Sequence, residues 1–414
     1  MINIPKGTKD ALPQDSHAFI TLENKAREVA RVFNLNEIRT PTFEHTELFL
    51  RGVGDTTDIV GKEMYTFLDK GERSITLKPE GTAGVARAYI ESGMDRNASL
   101  PVKMYYITPV FRYERPQSGR LREHHQFGVE LYGSETAQTD AEVVQIAKTL
   151  LDKVGITETK LFINSIGCPE CRKVYNQALR DFLASNIDSM CKDCKERYTK
   201  NPLRILDCKE EHCKEINAGA PKITEYLCDG CREHFESFQK ALSNCGIEYT
   251  INPNIVRGLD YYTRSVFEFV TEVDKLTVCG GGRYDNLVSM LGGKPTPAVG
   301  FGMGLERLLM IAEREGADLG KPNTPDVYIA NLSEKEFDIV SKTVYKLRTE
   351  GISAECDLMK RSLKAQMKYA GRIGARYVVV IGESEAESGV CELKRMADGE
   401  CRQIKLENLA NELK

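Results

Sequence analysis

Four arginines fall within eleven residues, Arg112, Arg115, Arg120 and Arg122, in the segment FRYERPQSGRLREHHQFGVE. Guanidinium forks match phosphate oxygens two bonds at a time, so such a cluster suits a polyanion. The flanking runs MYYITPVFRYER and HHQFGVELYG read as paired strands. Alternate residues of a strand share a face. Arg112 and Glu114 therefore point one way, with Phe111 and Tyr113 the other way. On the return strand His124, Gln126, Gly128 and Glu130 share one face, opposite His125, Phe127, Val129 and Leu131. An exposed hairpin with solvated charges gives the same pattern.

Four more segments carry chemistry-bearing residues. Pro79-Glu80-Gly81-Thr82 turns into a helix bearing Arg87, and a carboxylate and hydroxyl there can also serve as a cap. In VRGLDYYTRSVFEF, Arg257 and Asp260 precede Tyr261 and Tyr262, tyrosines that would also suit a half-buried sheet. In CGGGRYDNL, three glycines before Arg283 allow close backbone approach to a ligand, or a bulge. In PAVGFGMGLERLLM, alternating glycines leave one strand face bare, where a flat ligand such as a purine could lie with Arg307 reaching its phosphates. Tight strand–helix packing is the competing explanation.

Cys168-Pro-Glu-Cys171, nineteen residues, then Cys191-Lys-Asp-Cys194 fits a four-thiolate zinc spacing. The zinc set this spacing suggests is thus Cys168, Cys171, Cys191 and Cys194. Cys208, Cys213, Cys228 and Cys231 are a second possible set, and free thiols are the alternative. The chain has thirteen cysteines, an odd number, and MINIPKGTKDALPQD has no apolar signal core. These features predict reduced thiols or metal ligands in the cytoplasm, not a disulfide framework. No run approaches the roughly 18 apolar residues of a membrane span.

The elements that hold these residues fall into two or three domains over 414 residues. The net charge of −4 excludes a generally cationic nucleic-acid coat but not a local basic patch. Residues 1–320 read as an α+β domain on an antiparallel sheet, because its strands come in loop-connected pairs. Residues 168–250 form a Cys-rich, mainly helical insertion within it. The loop Gly316 to Asp326 reads as a linker. Residues 326–414 then follow a βαβαβ pattern, an α/β domain closed by a hairpin at Asp398-Gly399. Ser333 and Glu336 form a capping box for one helix. A second helix is expected from Lys360 to Arg376. On it Arg361, Lys364, Lys368 and Arg372 fall within a stripe about 80° wide, opposite Leu363, Met367, Ala370 and Ile373.

Together these segments resemble the histidyl-tRNA synthetase family of class II aminoacyl-tRNA synthetases, over essentially the whole chain. PTFEHTELFLRGVGDTTDIVGKEMYTF is similar to motif 1 and its extension, which in this class builds the dimer interface. The four-arginine hairpin resembles motif 2, and PAVGFGMGLERL motif 3. RGLDYYTRSVFEF and CGGGRYDNL resemble the two signatures of the histidine-specific branch. The resemblance implies a class II synthetase-like catalytic domain and a C-terminal anticodon-binding domain in a cytoplasmic homodimer. The implied activity is histidine–tRNA ligation with L-histidine, ATP with Mg2+, and tRNA(His). The implied catalytic pair is Arg257 and Arg112. Glu80, Gly81, Thr82 and Gln126 would bind the histidine α-amino end. Glu130 and Tyr262 would read the imidazole, with Tyr261 lining the pocket. Arg257 and Arg112 would stand at the α-phosphate and carboxylate. Glu114, Arg120, His124 and Arg307 would complete the ATP site. Arg361, Lys364, Lys368 and Arg372 would track tRNA phosphates. A non-aminoacylating regulatory subunit of histidine biosynthesis is the alternative, but such relatives are expected to lose the RGLDYY residues and the C-terminal domain, and this chain keeps both. The chain departs from the family in two places. His124 stands where Phe is usual under adenine, which predicts a smaller and pH-sensitive platform. Lys78 stands where Arg is commoner, which keeps the charge without the fork.

Overall fold

The computed structural model describes residues 2–54, 57–116 and 119–414. Asp55 and Thr56 of the motif 1 segment, and Gln117 and Ser118 of the motif 2 loop, lie outside the described residues. The chain divides into two compact units, Met1–Gly320 and Lys321–Lys414. No helix among the described residues is long and apolar enough to cross a membrane.

An eight-stranded sheet organises the first unit. Its order is Asn36–Glu37, Val102–Phe111, Glu123–Tyr132, Ala298–Gly304, Thr277–Arg283, Thr263–Thr271, Thr159–Ser165, Thr250–Ile251. The six long strands run antiparallel, and each two-residue edge strand lies parallel to its neighbour. Strand alternation decides which face is which. Phe127, Val129 and Leu131 enter an apolar layer with Ala141, Val144 and Leu151 of helix Ala137–Val154 and Leu305 and Leu308 of helix Leu305–Arg314. Gln126, Gly128 and Glu130 therefore face the other side, as the pattern predicts. A separate three-stranded sheet, Phe43–His45, Ser74–Leu77 and Tyr65–Leu68, lies in the motif 1 segment.

The glycine run before Arg283 serves packing. Gly281 faces the Gly300 carbonyl oxygen, 2.2 Å from where a Cβ would stand, and the register shifts between Gly282 and Arg283. Arg283 is fully buried. It donates to Asp140 and, at 2.8 Å and 3.1 Å, to the carbonyls of Ser134 and Thr136. His234 Nε2 lies 2.7 Å from Asp140. Burial raises the Asp140 pKa, but His234 and Arg283 outweigh it and hold the carboxyl low. The bulge explanation of these glycines therefore holds, and Arg283 anchors a loop and a helix to the sheet.

Between Ser165 and Thr250 the chain leaves the sheet for helices Pro169–Leu183, Lys192–Lys200, Glu211–Asn217 and Asp229–Asn244. The cysteines there do not group as expected. Cys168 and Cys171 meet Cys228 and Cys231, while Cys191 and Cys194 meet Cys208 and Cys213. The expected quartet of Cys168, Cys171, Cys191 and Cys194 fails because helix Pro169–Leu183 carries the chain roughly 20 Å away between its two pairs.

In the second unit Ala354–Cys356, Val327–Asn331, Tyr377–Ile381, Val390–Arg395 and Cys401–Lys405 form one sheet in that order. The Ser333–Glu336 capping box is present. The basic helix is shorter than expected, Leu363–Arg372. Lys360 adopts φ +53°, and Asp357 takes the Arg361 backbone N–H at 2.6 Å, which stops the helix before Ser362. Arg361 thus lies off the helix. It pairs with Asp357 at 2.9 Å and lies 4.3 Å over the Tyr369 ring. Gly374, at φ +70°, ends the helix at the other side. Leu363, Met367, Ala370 and Ile373 pack with Tyr328, Ala330 and Val378 of the sheet.

Candidate active site

One cavity opens on the sheet face that the alternation leaves polar. Six of its wall residues are Glu80, Thr82, Gln126, Arg257, Tyr261 and Tyr262. Further along lie Arg112, Glu114, Arg120, His124 and Arg307. The five sequence segments thus converge, although they are more than 200 residues apart at the extremes.

Glu80 serves two purposes. Its two carboxylate oxygens accept from the Thr82 and Ala83 backbone N–H groups at 2.7 Å and 2.8 Å, so it caps helix Thr82–Glu91 while facing the cavity. Arg87 on that helix is taken up by Glu44 and Glu91 at 2.5 Å and 2.8 Å. Thr82 Oγ1 donates to Glu130 at 2.7 Å. Glu130 also accepts from Tyr106 at 3.1 Å and from Tyr284. It is fully buried and lies behind the wall, as does Gly81. Burial pushes the Glu130 pKa up to about 8, against the pull of the Tyr284 and Thr82 hydroxyls.

The glycines explain how these side chains fit. A Cβ at Gly300 would stand 2.1 Å from Glu130 Oε2, and one at Gly302 would stand 2.2 Å from Gln126 Nε2. The face expected to be bare is therefore filled by the protein's own side chains at those two positions. At Gly304 the nearest atom is His124 Cδ2 at 4.0 Å, so open space begins there. Gly81 and Gly128 both give way to the Tyr106 ring, which a Cβ would approach to 2.3 Å and 2.0 Å.

Arg257 pairs with Glu268, whose other oxygen accepts from Thr277 Oγ1 at 3.3 Å. Burial works against the Arg257 charge, but Glu268 raises its pKa overall. Gly280 leaves room for the guanidinium, which a Cβ would approach to 2.3 Å. Arg257 Nε and Gln126 Oε1 are buried without a hydrogen-bond partner among the described residues. A donor and an acceptor left unsatisfied in one cavity are costly unless a ligand completes them.

At the other end Arg112 donates to the Pro79 carbonyl at 2.7 Å, and Glu114 lies 3.5 Å from Arg120. Arg307 donates to the carbonyls of Gly119, at 2.9 Å, and Thr277. Burial and the Arg120 charge both lower the Arg307 pKa, a strain that an anion would relieve. Burial, then Arg112 and Arg307, depress His124 to about 3. The imidazole is therefore neutral at physiological pH, which corrects the expectation of a pH-sensitive platform. Lys78 does not face this cavity. It reaches the Thr40 carbonyl at 3.2 Å, and burial lowers it to about 8.

A family model described as "Histidyl-tRNA synthetase" matches residues 7–308, and one described as "Anticodon binding domain" matches residues 326–414. The chain belongs to the histidyl-tRNA synthetase family. It is 55% identical to the histidine–tRNA ligase of Acetivibrio thermocellus over 99% of both chains. It is 53% identical to that of Caldanaerobacter subterraneus subsp. tengcongensis, again over 99% of both. The apo crystal structure of S. aureus histidyl-tRNA synthetase matches all of both chains with a TM-score of 0.86 at 40% identity.

Several residues that build this histidyl-tRNA synthetase site escape sequence reasoning. Glu268 is one, and its signal was a lone carboxylate within the apolar strand SVFEFVT. Glu306 is another. It lies 2.8 Å from His125 Nδ1 and accepts the His125 backbone N–H at 2.9 Å, which ties the motif 3 helix to the motif 2 strand. Tyr106, in the middle of strand Val102–Phe111, and Tyr284, just past the end of strand Thr277–Arg283, enclose Glu130, and no spacing pattern announces that. Arg122 lies 3.8 Å over the Tyr113 ring, so it steadies the hairpin.

Proposed function

We propose that this chain is a histidine–tRNA ligase, which activates L-histidine with ATP and passes the histidyl group to the 3′ end of tRNA(His). The observation that carries the reading is the single cavity described above. One end offers carboxylate, amide and phenol groups to a small amino acid, and the other offers converging guanidinium groups to phosphates. In the first step a histidine carboxylate oxygen bonds to the α-phosphorus and the bond to pyrophosphate breaks. In the second, a 3′-terminal ribose hydroxyl attacks the carbonyl carbon, releasing AMP and a proton. No side-chain nucleophile is needed. Mg2+ enters with ATP as part of the substrate.

The roles follow from chemistry. Glu80, Thr82 and Gln126 suit an ammonium group, which would also draw Glu80 back toward its ionised form against the burial that raises its pKa. Burial pushes Tyr262 up to about 12, so it stays a neutral phenol able to donate to or accept from imidazole. Glu130 braces Thr82 and the tyrosines around it, and its carboxyl is the acceptor behind the imidazole end. Arg257 and Arg112 stabilise charge growing on the phosphorus. Arg120, Arg307 and Glu114 position the remaining phosphates, and His124 offers a neutral ring to adenine. The exposed Phe43, Phe67 and Leu68 around the small sheet support a homodimer. The thirteen free cysteines support a cytoplasmic setting. The test is ATP–pyrophosphate exchange with purified protein. Exchange should require L-histidine, and tRNA(His) should be charged. Exchange no greater than in a histidine-free control would overturn the reading.

A further inference from the structure

Eight of the nine cysteines in the insertion are consumed in two groups of four, and each group's sulfurs lie within 4.8 Å of one another. Thiolates around one zinc at about 2.3 Å stand roughly 3.8 Å apart at the corners of a tetrahedron. Cys168 and Cys171 sulfurs are 3.5 Å apart, and those of Cys191 and Cys208 are 3.7 Å apart. These separations fit a shared ion and are far from the ~2.05 Å of a disulfide. Backbone N–H groups already aim at the sulfurs, from Cys228 to Cys171 at 3.1 Å and from Cys191 to Cys213 at 3.4 Å, an arrangement that favours thiolate. Three of four cysteines are buried in the second group and two of four in the first. The ninth cysteine, Cys245, is exposed and belongs to neither group.

The second group also bears on the active site. Between Cys194 and Cys208 the chain forms a strap whose polar side chains grip the loop carrying Tyr261 and Tyr262. Arg204, 6% exposed, donates to the Gly258 carbonyl at 2.8 Å, and Asn201 donates to Asp260 at 3.1 Å. Arg197 reaches Asp58 at 3.1 Å. Leu203 and Ile205 lie in one apolar cluster with Val256, Tyr261 and Tyr262. Helix Lys192–Lys200 buries little besides Cys194, so apolar packing alone does not fix the strap's N-terminal end.

We infer that the insertion binds two structural zinc ions, one on Cys168, Cys171, Cys228 and Cys231 and one on Cys191, Cys194, Cys208 and Cys213. The second ion positions the strap that holds the histidine-pocket loop. This positioning role rests on the histidine site proposed above, whereas the two ions do not. Full-length protein, purified without a metal-binding tag, should carry two equivalents of zinc by mass spectrometry. Cells supplied with cobalt should yield protein with sulfur-to-cobalt charge-transfer bands and tetrahedral d–d bands. Cys168→Ser with Cys231→Ser should remove one equivalent and leave the histidine KM in pyrophosphate exchange within about twofold. Cys194→Ser with Cys213→Ser should remove the other equivalent and raise that KM about tenfold or more with little change in the ATP KM, as displaced positioning groups do. Should the serine variants fail to fold, Cys208→His, which keeps a ligand, should retain both ions and a near-normal histidine KM. Wild-type protein with less than one equivalent of metal, or with these cysteines in disulfides, overturns the two sites. An unchanged histidine KM after loss of the second ion overturns the positioning role alone.

Discussion

Arg257 is a guanidinium held still by Glu268, with its Nε unsatisfied and its Nη groups against a glycine strand. Such a fixed charge costs no reorganisation when charge develops on phosphorus. Arg257→Ala should therefore leave the fold intact and slow histidyl-adenylate formation by about 10²–10³. Near-normal exchange by a folded variant would remove Arg257 from catalysis. Glu130 makes a different kind of prediction, because its environment favours the proton. With a folded pKa of about 8 against an ordinary 4.5, the native state binds more protons than the unfolded state between those values. The group's stabilising effect is then full below about pH 4.5 and is lost as pH rises toward 8, at up to about 1.4 kcal/mol per pH unit. Glu130→Gln keeps the neutral form, so the unliganded variant should show a shallower fall in melting temperature between pH 5 and 8. The same change leaves an imidazole donor facing an amide and should weaken histidine binding about tenfold or more, with ATP binding little altered. Equal losses for both ligands in calorimetry would place Glu130 outside the histidine end. Asp140 is a structural counterpart. Removing it leaves the buried Arg283 with Asp285, at 3.1 Å, as its remaining carboxylate and takes the partner from His234, so Asp140→Ala should cost about 3 kcal/mol in denaturant unfolding without shifting either KM in the protein that remains folded.

At the scale of elements, the basic helix Leu363–Arg372 shows what pattern reasoning can and cannot reach. Its apolar side packs on the sheet as the 100° periodicity requires, and Lys364, Lys368 and Arg372 are left exposed. Acidic and basic residues balance over 326–414, so net charge gives this unit no attraction for tRNA, and an uneven face such as this one is what could supply it. Lys364→Glu with Lys368→Glu should raise the tRNA KM, most strongly at low salt. It should also reduce the salt slope by about two, one for each lost phosphate contact, and leave pyrophosphate exchange unchanged. Indifference of charging kinetics at low salt would make the helix face merely solvated. Arg361 was misread because a local competitor, the Asp357 carboxylate, ends the helix before the periodicity would. The strand faces around Gln126 and Glu130 were legible because a period of two leaves no freedom once one face is apolar. The cysteine partners were not legible. CxxC pairs announce ligands, but which pairs meet depends on a helix that carries the chain away and another that brings it back. Glu80 was legible as a cap, and the structure shows that the same carboxylate also lines the cavity. The bare glycine face was half legible, since spacing cannot tell a ligand from a neighbouring side chain as its occupant.

For the whole molecule, the small sheet of the first unit joins surface to chemistry. Phe67 pairs in register with Ile75 and Leu68 with Ser74, and the same strand leads from Leu77 into Lys78, Pro79 and Glu80. The Pro79 carbonyl holds Arg112, and the Glu63 carbonyl accepts the Tyr113 backbone N–H at 2.7 Å. Displacing this sheet would therefore move both the carboxylate at one end of the cavity and a guanidinium at the other. Phe43, Leu50, Phe67 and Leu68 are between 44% and 68% exposed in this one chain, a concentration of apolar surface that monomers rarely leave uncovered. A second copy applied with two-fold symmetry would bury the same patch on both chains. Phe43→Glu with Phe67→Glu, two positions that share one sheet face, places four like charges across such an interface. The unaltered protein should sediment as a dimer and the variant, at the same concentration, as a monomer with lower pyrophosphate exchange. Because the two side chains point to solvent, circular dichroism and zinc content should stay unchanged, which separates loss of assembly from loss of fold. A variant that still sediments as a dimer would place the interface on another surface, and a monomer with full exchange would show that the cavity keeps its geometry without a partner.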